Sequence, residues 1–111
     1  MKLNKDMQEK IQELQVNEQN IQALLMQKQA FQLELNETEN ALSELSKTKD
    51  EVYKITGQIM LRTDKSEIEK ELKEKINILG LRLKSIERQE SSFKEKLEKL
   101  RQEITKNIEK E

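Results

Sequence analysis

This sequence predicts a mainly α fold, a long antiparallel two-helix coiled coil carrying one β-hairpin at its turn, on three observations. Two proline-free heptad tracts of nearly equal length occupy residues 3–49 and 66–110. Between them, residues 50–65 gather the β-branched and aromatic side chains Val52, Tyr53, Ile55, Thr56 and Ile59 around Gly57. Charged residues make up 39% of the chain and apolar residues only 33%, a balance suited to solvated helices with one apolar stripe each rather than to a globular core. Neither stripe can be buried alone. The chain therefore goes out along one helix, turns through the hairpin and returns along the other, as a single domain of 111 residues.

In the first tract Ile21, Leu24, Lys28, Phe31, Leu35, Thr38, Leu42 and Leu45 alternate as a and d positions. In the second, Leu72, Ile76, Leu79, Leu83, Ile86, Glu90, Phe93 and Leu97 do the same. Steps of three and four residues define a left-handed coiled-coil seam. An antiparallel return about Gly57 sets Leu45 against Leu72, Leu42 against Ile76, Leu35 against Leu83, Phe31 against Ile86, Leu24 against Phe93 and Ile21 against Leu97. The same register brings Lys28 to Glu90, the one charged residue of each seam stretch, with opposite signs. Such a pair sets register more than it adds net stability; the bland alternative is coincidence in a charge-rich chain.

Nearer the termini the match degrades. The register places polar Asn17 against Leu100, whereas Met7, Ile11, Leu14, Glu18 and Ile21 form a better stripe, offset from the seam. Val16, Leu25 and Met26 lie off the seam, and Leu100, Ile104 and Ile108 continue the apolar row of the second helix. This end holds more apolar residues than one two-stranded seam covers.

In the middle, strands are expected near 52–56 and 58–63, with Thr56-Gly57 as the tight turn, because glycine tolerates positive φ. Ser66-Glu67-Ile68-Glu69 reads as a capping box opening the second helix. Gly80, inside that helix, costs roughly 1 kcal/mol against alanine.

The composition narrows function by exclusion. Cysteine and histidine are absent and net charge is −1. No nucleophile–base pair, glycine-rich phosphate loop or metal-ligand cluster is recognisable, so neither enzyme chemistry nor a cofactor is expected. Acidic and basic residues interleave, with no basic stripe for nucleic acid and no polybasic patch for a membrane surface. No apolar run approaches the ~20 residues of a span, and the N-terminus lacks an apolar leader segment. A soluble, cytoplasmic protein is expected.

Function must then be contact with other macromolecules, at two places. The first is the hairpin: Val52, Tyr53, Ile55, Gly57, Ile59, Met60 and Leu61. An isolated two-stranded hairpin is marginal in water and exposes two unpaired edges. Several subunits joining their hairpins into a closed β-structure would remove those edges; the alternative is a mere turn between helices. Ile78 and Leu81, off the seam, are available to neighbouring subunits. The second place is the distal tip: Met7, Ile11, Leu14, Val16, Leu100, Ile104 and Ile108. Mixed apolar side chains at helix ends can adapt to irregular hydrophobic surface; the alternative is that they simply finish the coiled coil.

The run Glu51-Val52-Tyr53-Lys54-Ile55-Thr56-Gly57, then Gln58-Ile59-Met60-Leu61-Arg62, leads on to Ile86-Glu87-Arg88-Gln89-Glu90 in the second helix. Set between equal heptad arms, it resembles the β-type subunits of the prefoldin family, most closely the archaeal form, over nearly the whole chain. A single hairpin is the β-type pattern; α-type subunits carry two. The resemblance implies a hetero-hexamer of two α-type and four β-type subunits, whose hairpins form a double β-barrel platform bearing six coiled coils. It implies an ATP-independent holdase that captures non-native polypeptides at the tips and passes them to a group II chaperonin, with Met7, Ile11, Ile104 and Ile108 as tip contacts. The sequence stops at Lys110-Glu111, without the longer tail some relatives carry; if such a tail helps chaperonin docking, that one contact is in question for this chain. The competing expectation is a structural coiled-coil spacer that holds no client.

Overall fold

The computed structural model describes residues 4–110. Leu3, where the first tract is expected to begin, and Glu111 lie outside them. The elements are α1 (Lys5–Lys47), β1 (Val52–Thr56), β2 (Ile59–Thr63) and α2 (Lys65–Lys110). The fold is thus mainly helical, two long helices with a two-stranded antiparallel hairpin between them, as the heptads and the central segment predict. Two compact units share the chain: Ala30–Leu83, here the hairpin unit, and Met1–Gln29 with Lys84–Glu111, here the terminal unit.

The start of α1 and the two helix ends beside the hairpin are closed by nearby residues. Asn4 caps α1: its Oδ1 accepts from the Met7 N–H at 2.7 Å, and its carbonyl takes the first helical bond from the Gln8 N–H at 3.0 Å. That satisfies donors the first turn would leave orphaned. At the other end of α1, the Thr48 N–H returns to the Leu45 carbonyl at 3.1 Å. Thr48 Oγ1 donates to the Glu44 carbonyl at 3.0 Å and Ser46 Oγ to the Ser43 carbonyl at 2.7 Å. The Lys65 ammonium then donates to the Ser46 and Thr48 carbonyls at 3.4 and 3.0 Å. A cation on these carbonyls meets the negative end of the helix dipole.

The start of α2 corrects the expected capping box. The helix opens at Lys65, so Asp64 holds the cap position and Ser66 lies within the first turn. The Ile68 N–H makes the first helical bond, to the Asp64 carbonyl, at 3.2 Å. Asp64 and Glu67 have the same spacing as a capping pair, two residues upstream of the serine, and Thr63 Oγ1 contacts the Glu67 carboxylate at 3.4 Å. An aspartate cap directly after a strand leaves no residue for a linker, which is why the helix begins early.

In the hairpin unit the inward row of α1 is Phe31, Leu35, Thr38, Leu42 and Leu45, and that of α2 is Ile68, Leu72, Ile76, Leu79 and Leu83. Leu79 is 1% exposed. Thr38 is fully enclosed, and its hydroxyl donates to the Glu34 carbonyl at 2.7 Å, so a polar atom in the seam is satisfied without a partner helix. Lys75 reaches Glu34 at 3.1 Å, and the Arg82 guanidinium sits 5.7 Å from the Phe31 ring centre.

In the terminal unit the inward row of α1 is Met7, Ile11, Leu14, Asn17, Ile21, Leu24 and Lys28. Glu18 is outside it, paired with Arg101 at 3.5 Å. The offset stripe through Glu18 is therefore not the one the fold uses. Counted back from Lys28, the three-four alternation through Leu24, Ile21, Asn17 and Leu14 continues without a break to Lys10 and Met7, with Ile11 half-buried beside Lys10. That unbroken alternation is what places Met7 in the interior. On α2 the row runs without interruption through Ile86, Glu90, Phe93, Leu97, Leu100, Ile104 and Asn107. The expected continuation through Ile108 is likewise corrected: Asn107 occupies the inward position and Ile108 faces solvent.

Candidate assembly and client-binding surfaces

The hairpin begins as a problem of turn geometry. Thr56 pairs with Ile59, so the loop is the two residues Gly57 and Gln58, and Gln58 is not part of the second strand as expected. Gly57 has φ +62, and no non-glycine residue among those described has positive φ. Glycine at the first loop position with an ordinary second residue defines a type II′ turn, whose twist matches that of the flanking strands.

The register Val52↔Thr63, Tyr53↔Arg62, Lys54↔Leu61, Ile55↔Met60, Thr56↔Ile59 assigns side chains to two faces. One face carries Tyr53, Ile55, Met60 and Arg62. The other carries Val52, Lys54, Thr56, Ile59, Leu61 and Thr63. The second is turned to the start of α2, because the Lys54 ammonium holds the Glu71 carboxylate at 3.0 and 3.3 Å. On the first, Glu51 accepts from the Tyr53 hydroxyl at 2.7 Å and pairs with Arg62 Nη2 at 2.7 Å. That hydrogen bond to a carboxylate, with a smaller contribution from desolvation, raises the Tyr53 pKa above the ordinary phenol value. The charges at the base of this face neutralise one another, which leaves Ile55 and Met60 toward the turn. Both faces are apolar and open. Ile55 is 69% exposed and Met60 64%, with Ile59, Leu61 and Tyr53 each at least half exposed; Val52 and its partner Thr63, at the base, are partly covered. In the same unit Ile78 and Leu81 are exposed on α2.

The terminal unit divides the expected tip residues. Val16 and Ile108 are exposed, at 49% and 42%. Ile11, Leu14 and Ile104 are half-buried. Met7, at 1%, and Leu100, at 8%, are core. For Met7 and Leu100 the alternative of finishing the coiled coil describes the placement: both fall on the seam alternation of their helices, and the Asn4 cap holds the first turn of α1. Within this unit Lys28 Nζ donates to Glu90 Oε1 at 3.4 Å, and Lys94 stands 3.9 Å from the same oxygen. The Glu90 side chain is only 13% exposed, so its charge is held in the seam by two cations. Lys10, between Asp6 and Glu103 at 3.5 Å each, has its pKa raised: burial lowers it, and the two carboxylates outweigh that. Sequence reasoning passed over the Asn4 cap and the Glu51 bridge of Tyr53 to Arg62. The first had a signal in Asn4 three residues before Met7. The second needed the strand register.

Among the described residues no cluster of three or more histidine, cysteine, aspartate or glutamate side chains is placed to hold a metal, and no helix is long and apolar enough to cross a membrane. The geometry defines a class of protein, a two-helix coiled-coil subunit that displays an unburied β-hairpin. The chain belongs to the prefoldin subunit family, a family of chaperones, whose model matches residues 8–111. It is 42% identical over 94 residues to prefoldin subunit beta of Thermococcus onnurineus (strain NA1), covering 83% of this chain and 81% of that one. To prefoldin subunit beta of Methanothrix thermoacetophila it is 37% identical over 103 residues, covering 91% and 86%. The crystal structure of the prefoldin beta subunit from Thermococcus strain KS-1 superimposes with a TM-score of 0.88 at 36% identity, covering 96% of this chain and 95% of that one.

Proposed function

We propose that this chain is the β-type subunit of a hetero-hexameric, ATP-independent holdase. Its hairpin joins those of α-type subunits and further β-type copies in a closed β-barrel platform. The terminal unit contacts non-native polypeptides, which the complex passes to a group II chaperonin in the cytoplasm, with no catalytic step. The observation that carries the reading is the hairpin: a two-stranded sheet with apolar side chains on both faces and two free edges, in a family of chaperone subunits. Lys28 and Glu90 set the register of the arms. Val16 and Ile108 make the first contacts with a client. Met7, Ile11, Leu14, Leu100 and Ile104 back them from the seam, and reach a client only where the paired helix segments part. Each contact is weak, and several copies acting on one chain supply the hold through avidity, so release requires no nucleotide.

Two measurements test this. Light scattering of the chain with and without an α-type subunit is expected to give an assembly with the partner; a monomer in both conditions would leave only a coiled-coil spacer. Within the assembly, Val16→Asp combined with Ile108→Asp is expected to weaken suppression of aggregation of an unfolding client while leaving the assembled mass unchanged. Undiminished suppression would remove the tip from the reading and leave the assembly intact.

A further inference from the structure

The terminal unit carries a second stripe that neither the seam nor the tip uses. On α1, Gln12, Gln15, Gln19, Gln22 and Met26 follow one another in steps of three, four, three and four residues, the repeat that keeps side chains on one line of a helix. All five are exposed, Met26 by 71%. In a chain that is 39% charged, this line has no charge. Among the described residues none hydrogen-bonds the amides of Gln12, Gln15, Gln19 or Gln22.

A groove of about 780 Å³ runs along the same line, lined by Gln15, Gln19, Gln22, Met26, Ile21 and Leu97. Its charged rim is Glu18 and Arg101, which neutralise each other at 3.5 Å. The floor is apolar, and the exposed amides each offer a donor and an acceptor.

We propose that this stripe is a second docking surface, whose occupant is an extended segment of a non-native polypeptide. The inference rests on the client-holding reading above and adds to it a surface along the helix flank. A nucleic acid or an anionic membrane needs an excess of cations, whereas the one cation at this groove, Arg101, is neutralised by Glu18. An unfolded chain presents backbone N–H and C=O groups together with apolar side chains in no fixed order. Glutamine amides pair with either backbone group whatever the sequence, and the unbranched thioether of Met26 adapts to varied apolar surface. Toward the proposed tip, Gln12 and Val16 line an adjoining groove with Asn17, Lys96 and the carboxylates Glu9 and Glu13.

The test uses the assembled complex and, as probe, a reduced and carboxamidomethylated lactalbumin, which stays unfolded. Two triple variants are compared with the parent, Gln15→Glu/Gln19→Glu/Gln22→Glu and Gln15→Lys/Gln19→Lys/Gln22→Lys. Both keep helix propensity, and both are expected to weaken probe binding by about tenfold, since several contacts on each arm are lost together. If only one sign of charge weakens binding, the stripe acts by electrostatics and the amide account is overturned. If the parent binds and both variants bind equally well, the inference fails while the client reading stands. If the parent does not bind, the client reading itself fails.

A second measurement removes any dependence on how the variants fold. The chain has no cysteine, so Gln19→Cys, and Glu87→Cys as a control on the other helix, each take a photo-crosslinker at one site. Crosslinking of position 19 to the probe, well above that of position 87, is expected. Crosslinking of position 19 to a sister subunit instead would make the stripe an interface between copies and overturn the proposal.

Discussion

In the hairpin unit the most exposed apolar side chains, Ile55, Ile59 and Met60, stand on paired strands. In the terminal unit Met7, only three residues past the helix cap, is as enclosed as any side chain described. The two regions use similar residue types to opposite ends. Strand pairing fixes Ile55 and Met60 on one face, and a two-stranded sheet has no second layer to cover either face. A helix pair buries whatever falls on its seam, and in the terminal unit the alternation takes in Met7 and leaves Val16 outside. The hairpin therefore leaves most of its apolar surface uncovered, whereas the terminal unit buries its seam and exposes Val16, Leu25, Met26 and Ile108 on the helix flanks. The proposed function draws on that difference: assembly at the hairpin and weaker client contact at the terminal unit.

The contrast breaks first at the hairpin. Ile59→Asp places a charge on an open face next to the turn, and it is expected to abolish assembly with an α-type subunit altogether, reducing the mass in light scattering to that of the single chain. Because Ile59 buries little within its own chain, the helical signal in circular dichroism is expected to stay. Retention of the assembled mass would show that the hairpin is only a turn.

Met7→Ala sharpens the other side of the comparison. Removing an enclosed methionine is expected to cost about 2–4 kcal/mol, read as a lower melting temperature. Val16→Ala and Ile108→Ala, at exposed sites, are expected to stay within about 0.5 kcal/mol. If all three were equally mild, the first turn of α1 would not be packed and the terminal unit would present Met7 as surface after all.

How much of this was legible beforehand depended on whether the deciding interaction was local. The hairpin was legible because β-branched residues flanking a glycine carry their preference in the segment itself. The seam from Ile21 to Leu45 was legible because its three-four alternation is uninterrupted. The turn was misplaced by one residue because Thr56-Gly57 and Gly57-Gln58 both offer a glycine, and only the pairing of Thr56 with Ile59 decides between them. Asn17 was set aside for Glu18 because a polar amide looks no better than a carboxylate on paper. Arg101, drawing Glu18 outward, is 83 positions away in the chain. Ile108 was assigned inward because it is apolar, whereas helix phase from Leu100 and Ile104 places Asn107 there.

The seam charges test whether the two regions differ in specification as well as exposure. Glu90→Ala leaves Lys28 facing the seam without its main partner and is expected to cost about 1–3 kcal/mol. Lys28→Leu with Glu90→Leu is expected to be neutral or stabilising, with loss of a unique alignment, as for other buried ion pairs replaced by apolar residues. A single sharp set of amide resonances in the double variant would show that the ion pair does not select register.

The smallest effects compare one glycine from the turn with one from the helix, both in the hairpin unit. Neither Gly57 nor Gly80 has any heavy atom within 4 Å of where a Cβ would stand, so sterics with neighbours cannot distinguish them and backbone conformation alone sets the sign. Gly57 has φ +62, where a side chain strains the main chain, and Gly57→Ala is expected to cost about 1 kcal/mol or more. Gly80 is ordinary helix, and Gly80→Ala is expected to gain roughly 1 kcal/mol. Thermal denaturation of the unassembled chain is expected to move in opposite directions for the two variants. A gain at Gly80 that turns into weaker association once an α-type subunit is present would place a neighbouring chain against that stretch of α2. It would also extend the assembly surface from the strands onto the helix that exposes Ile78 and Leu81.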